Sequence, residues 1–210
     1  MKKIYGLVIF LFAFSIFTHA QNDPKAKTVL DNVSNKLKNV KGLTASFTYS
    51  TRDRNKNLKG TVKGVISIKG QKYYIKQGET EIFCNGNKIW NYNGEDEVTV
   101  ADVDNEDNKT LSPQKLLTNF YDQDFTYKLV SSAGNYYEIN MVPTDKRKSF
   151  KSVTIYVDKS KNLITKAKVL DKSDNVIEFV LSNVNTNASL PDSKFAFDAA
   201  KHPQVEVVAQ

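Results

Sequence analysis

The chain has 210 residues, with 30 Lys and Arg against 23 Asp and Glu, a formal charge of +7, one Cys and two His. A lone Cys excludes an internal disulfide, so stability must come from packing, and a chain of this length can bury the core that packing needs. One Cys and two His are too few for a zinc site of the usual ligands. There is also no phosphate-binding loop, no Gly-x-Gly-x-x-Gly and no Gly-x-Ser-x-Gly elbow.

Residues 1–20 read as a cleaved secretory signal. Lys2 and Lys3 make a basic start, Ile4 to Phe17 is an apolar run, and Thr18-His19-Ala20 ends on a small residue before Gln21. The run is shorter than the about 20 apolar residues of a transmembrane helix. No Cys follows Ala20, which predicts no lipid anchor at that point, and residues 21–210 read as one exported domain. Removing Lys2 and Lys3 leaves a net charge of about +5, and export argues against a nucleic-acid partner. The local cluster Lys146, Arg147, Lys148 and Lys151 reads as a solvated loop, or else as a contact for an anionic membrane or acidic partner.

Asp23-Pro24 is a helix start, a capping side chain followed by Pro at the first helical position. Ala26, Val29, Leu30, Val33, Leu37 and Val40 then recur at helical spacing and predict a helix over Pro24–Lys41, stopped by Gly42. From Gly42 the period changes to two. Leu43, Ala45, Phe47 and Tyr49 alternate with Thr and Ser, and Leu58, Val62, Ile66 and Ile68 continue the pattern beyond a polar turn. Gly60 and Gly64 share one face of that second strand, a sign of bending or of close approach by another element.

Strands at Tyr73–Lys76 and Glu81–Cys84 follow. The stretch Cys84–Val100 then carries the only Trp between two Asn-Gly pairs and reads as consecutive hairpins. Trp90 and Tyr92 fall on one face of its central strand. Asp104–Thr110 is acidic but lacks the ligand register of a calcium loop. Ser112-Pro113 starts a short helix whose Leu116, Leu117 and Phe120 form one apolar face, suited to a core helix or a lid. Five more strands run from Phe125 to Asn187 with polar turns between them, the spacing of an antiparallel sandwich or barrel. Ser189–Gln210 is less periodic, though Phe195/Phe197 and Val205/Val207 alternate.

Positive signs of catalysis are missing from this inventory. His202, the one His beyond the signal, reads as an exposed tail residue, and Cys84 as a buried, inert thiol. The carboxylates Glu95, Asp96 and Glu97 lie on a turn, and a glycosidase-like pair would need a geometry that spacing does not supply. What the strands do offer is a surplus of aromatic and aliphatic side chains. These can form a core, or line an apolar cavity inside a curved sheet.

The ordered landmarks resemble the LolA family, periplasmic carriers of lipoproteins, over essentially all of residues 21–210. An amphipathic helix precedes Leu43-x-x-x-Phe47, and a Gly-rich strand spans Gly60–Lys69. The family's Asp-Gly-x-x-Leu-Trp-x-Tyr is matched by Asn85-Gly86-Asn87-Lys88-Ile89-Trp90-Asn91-Tyr92, and Val98-Thr99-Val100 follows. The family ending is matched by Leu190-Pro191, Phe195, Phe197, Pro203, Val205 and Val207.

The resemblance implies a mainly β fold, a single curved antiparallel sheet forming an open half-barrel, with the N-terminal helix and a short lid helix over a hydrophobic cavity. It implies a non-enzymatic periplasmic chaperone, needing no cofactor or metal, that carries lipoprotein acyl chains from the inner to the outer membrane. Its partners would be acylated lipoproteins, the inner-membrane ABC transporter that releases them and an outer-membrane acceptor, with the protein a monomer. Phe47, Tyr73, Ile75, Trp90, Tyr92, Leu116, Leu117 and Phe120 are then the residues to line or lid the cavity. Lys69-Gly70 stands where the family has Arg-Pro, which makes Lys69 the candidate lid latch, with the charge of Arg but not its planar fork. A lipid-binding or envelope-stress-sensing module of the same fold is the alternative, and a secreted hydrolase a third.

Overall fold

A computed structural model describes residues 22–103 and 121–209, apart from the side chains of residues 122 and 123. The signal segment, the acidic loop and the Ser112–Phe120 helix, with Leu116, Leu117 and Phe120, lie outside the described residues. Helix α1 spans Pro24–Asn39, and its last predicted turn is replaced by extended backbone at Val40 that leads directly into the sheet. Twelve strands follow: β1 (Leu43–Arg52), β2 (Leu58–Lys69), β3 (Lys72–Gln77), β4 (Thr80–Cys84), β5 (Lys88–Tyr92), β6 (Glu97–Asp102), β7 (Phe125–Ser131), β8 (Tyr136–Pro143), β9 (Phe150–Asp158), β10 (Leu163–Asp171), β11 (Val176–Asn185) and β12 (Glu206–Ala209). Among the described residues, Tyr121–Asp124 are helical (α2) and lead into β7.

All twelve strands belong to one sheet in the order β12-β6-β5-β4-β3-β2-β1-β11-β10-β9-β8-β7. Pairing is antiparallel except at β12, which runs parallel to β6. β12 and β7 are the two ends of this order, so the sheet is an open curved layer, the predicted fold class. Bulges help bend it. Between β1 and β11 the register slips where Thr44 faces Asn185 and Ser46 faces Ser182, and Asn183 takes the left-handed conformation (φ 53°) that Asn tolerates. A second slip lies between Ile164 and Lys166 of β10.

One face of the sheet carries the core. Ala26, Val29, Leu30 and Val33 of α1 are buried against Phe125, Tyr127, Ile139, Met141, Val153 and Ile155 of β7–β9. Each fully buried aliphatic side chain there stabilises the fold by roughly 1.5–3 kcal/mol. Asp23 joins the helix to the sheet. Its Oδ1 accepts from the Lys25 and Ala26 amides at 2.9 and 3.4 Å, while its Oδ2 accepts from the Leu129 amide at 3.1 Å. The Asn22 side chain accepts from the Tyr127 amide at 3.0 Å, so the exposed edge of β7 finds partners instead of offering open backbone groups to other chains.

The opposite face is crossed by a C-terminal strap, residues 190–205. Phe195 in its first 3-10 turn is fully buried. The Lys69 ammonium donates to the Leu190 carbonyl at 2.9 Å and to Asp192 Oδ1 at 2.8 Å, and Lys72 reaches Asp192 Oδ2 at 2.8 Å. These two ammonium groups hold the Asp192 carboxyl down at a pKa of about 2. Further along, Phe197 packs edge-on against Phe83, and β12 adds to β6.

Candidate apolar cavity

Between α1 and the inward face of the sheet lies a cavity of about 400 Å³ with almost entirely apolar walls. Leu30, Val33 and Leu37 of α1 form one wall, and inward residues of β1–β4 and β7–β11 form the others. Period-two alternation builds the sheet walls. Phe47 and Tyr49 share the inward face of β1, Ile66 and Ile68 that of β2, and Phe179 and Leu181 that of β11. Phe47 and Phe179 stack with ring centroids 5.6 Å apart. Gly64 makes room for that arrangement, because the Phe47 ring and the Lys76 carbonyl occupy the space a Cβ would need.

Phe47 and Ile75, two of the residues singled out in the sequence, line this cavity. Tyr73 points the same way but sits deeper, 2% exposed, packed with Cys84 and Ile89. Cys84 is buried, its Sγ 3.9 Å from the Gln71 carbonyl. Trp90 and Tyr92 share a face, but it is the outer one. Trp90 pairs with Phe83, and the Tyr92 ring packs against Phe197 and His202 at 5.5 and 5.1 Å. Their assignment to the cavity is therefore corrected: both lie on the outer face, where Tyr92 packs against the strap.

Lys69 holds Leu190 and Asp192 of the strap, and the lid helix it was expected to latch lies outside the described residues. One further expectation changes with the strap. His202 is half-buried, stacked on Phe197 at 5.0 Å, and is no exposed tail residue. Beneath it, Glu81 accepts from the Tyr74 hydroxyl at 2.7 Å and from Lys76 at 2.6 Å. Burial opposes ionisation of Glu81, yet these two partners bring its pKa below the ordinary value. Burial and the same carboxylate push the Tyr74 phenol up. Cavity residues not singled out in the sequence include those of α1 and of β11, whose apolar faces are equally consistent with plain core.

Among the described residues, the lining holds no His, Cys, Ser, Thr, Asp, Glu, Lys or Arg. Its polar side chains are Tyr49, Gln77 and Tyr121, and the Tyr121 hydroxyl donates to Asp31 Oδ1 at 2.7 Å. Among the described residues, no cluster of His, Cys, Asp and Glu is placed to hold a metal ion, and no helix is long and apolar enough to cross a membrane. An open curved sheet with a helix over an apolar cavity is the geometry of a site for an apolar ligand.

Residues 38–198 match the family described as outer membrane lipoprotein carrier protein LolA, and the chain belongs to that family. The outer-membrane lipoprotein carrier protein of Shewanella halifaxensis is 27% identical over 202 residues, covering 94% of this chain and 92% of the relative. Its counterpart in Francisella tularensis subsp. novicida is 31% identical over 112 residues, half of each chain. A solved structure of a conserved protein from Thermus thermophilus shares the fold, with a TM-score of 0.60 at 12% identity, over 89% of this chain and 99% of that one. These relatives are named as carriers, not as enzymes.

Proposed function

We propose that the cavity receives the acyl chains of lipoproteins and that the protein carries them through the periplasm. An inner-membrane ABC transporter would hand the cargo over and the outer membrane, through an acceptor there, would take it. Residues 1–20 would be removed on export, and residues 21–210 would work as one monomeric domain without a cofactor. The observation that carries this reading is the 400 Å³ apolar cavity against an open sheet, in a chain of the carrier family.

The physical need is large. A C16 chain exposed to water costs roughly 12 kcal/mol at about 0.8 kcal/mol per methylene, so a soluble carrier must hide it. It must also give the chain up. A helix can lift from an open sheet with every strand pairing intact, whereas a closed barrel would have to break backbone hydrogen bonds. In this reading Phe47 and Ile75 contact the chain, Tyr73 backs the far end, and Leu116, Leu117 and Phe120 supply the lid.

Extraction and mass spectrometry of the protein purified from an envelope fraction test the proposal. Stoichiometric acylated lipoprotein is the predicted result. A preparation that carries a different lipid, or none after mild extraction, would count against it.

A further inference from the structure

Two of the three polar side chains in the described lining, Tyr49 and Gln77, stand at the same end of the apolar wall. Tyr49 is the last cavity residue on β1 and Gln77 the last on β3, beside the turns that lead to β2 and β4. Exposure rises toward them along each strand. Leu43, Ala45 and Phe47 are 2, 4 and 5% exposed and Tyr49 is half-buried, while Tyr73 is 2% exposed and Gln77 half-buried. Of the three polar side chains in the lining, Tyr121 is paired with Asp31. Neither the Tyr49 hydroxyl nor the Gln77 amide has a hydrogen-bond partner among the described residues.

Their positions place them together. Tyr49 faces Val62 of β2, Phe47 faces Gly64, and Gly64 in turn faces Gln77. Tyr49 and Gln77 thus lie two strands and one inward position apart, on the order of 10 Å between Cα atoms, on a surface that curves toward the cavity. Gly64, between them, puts no side chain in the way except the Phe47 ring that rests on it.

A pure hydrocarbon covering this end would strip water from a hydroxyl and an amide and return no hydrogen bond. A ligand with carbonyl oxygens at the head of its hydrocarbon would satisfy both groups. We propose that Tyr49 and Gln77 form a carbonyl-binding pair that selects ester- or amide-linked acyl lipids and sets their direction. The carbonyls sit at the Tyr49–Gln77 end and the chain termini point toward Leu43 and Tyr73. The Tyr49 hydroxyl and the Gln77 amide N–H donate, and the ligand carbonyls accept. This inference rests on the acyl-chain reading above and adds to it a preference by linkage chemistry and an orientation.

The test compares two soluble probes, dioctanoylglycerol with ester carbonyls and the matching dioctyl ether without them. Binding is read by displacement of an apolar fluorescent dye from the chain of residues 21–210. The unaltered protein should prefer the ester, by roughly three- to tenfold per hydrogen bond gained. Tyr49→Phe and Gln77→Leu should each weaken the ester by about that factor and leave the ether unchanged, and the double variant should bind both alike. Equal binding of ester and ether by the unaltered protein would overturn the proposal, with the acyl-chain reading intact. Variants that weaken both probes equally would overturn it too, since that result marks a packing role. Failure of both probes to enter the cavity would overturn the acyl-chain reading and this inference with it.

Discussion

At the scale of single residues, the cavity depends on what is missing at Gly64. A methyl group there meets the Phe47 ring at 2.5 Å and also the Lys76 carbonyl, which is backbone and cannot turn away. Gly64→Ala should cost about 1–3 kcal/mol, the usual range for overpacking, read as a lowered urea midpoint with an unchanged slope. Gly60→Ala is the control, because nothing lies within 4 Å of its Cβ position. The close approach at Gly64 was legible in the sequence as a glycine on an alternating strand, but its partner was not. Trp90 and Tyr92 show the same limit. Alternation puts the two rings on one face of β5 but does not say which face meets the cavity. That is decided by Phe197 and His202, more than a hundred residues away in the chain.

At the scale of elements, periodicity revealed α1, the strand positions and the polar turns, since each reflects local burial. The strap was less legible, for a physical reason. Its contacts are spaced irregularly along 3-10 turns, and its anchors on β2 and β3 are over a hundred residues distant. Lys69 illustrates the gap: its charge could be read from sequence, but not that Asp192 would answer it. The depressed Asp192 carboxyl gives the strap a pH dependence with a definite sign. Its ionised form is favoured in the folded state, so its contribution is fully present above its ordinary pKa of 3.8 and is lost as pH falls toward about 2. Asp192→Asn should therefore be less stable than the unaltered protein at pH 6, with the gap shrinking between about pH 4 and 2. Thermal melting across that range measures it, and a gap independent of pH would assign the loss to packing instead.

For the whole molecule, the proposed carriage of acyl chains makes one geometric demand: cargo must meet the inward face of the sheet and not the strap-covered face. Short strands with turns between them indicated an antiparallel sandwich or barrel, and the open half-barrel came from the family resemblance; the glycines of β2 hinted at bending, but no local pattern announces the bulge at Asn183. Sidedness can be measured by placing a photo-crosslinking benzophenone amino acid at Ile75 or Phe179 on the cavity wall, and at Trp90 or Thr48 on the outer face. With the full-length protein in living cells, irradiation should give adducts with acylated lipoproteins from Ile75 and Phe179 and none from Trp90 and Thr48. Adducts from the outer positions, with the cavity positions silent, would contradict the assignment of the cavity as the cargo site.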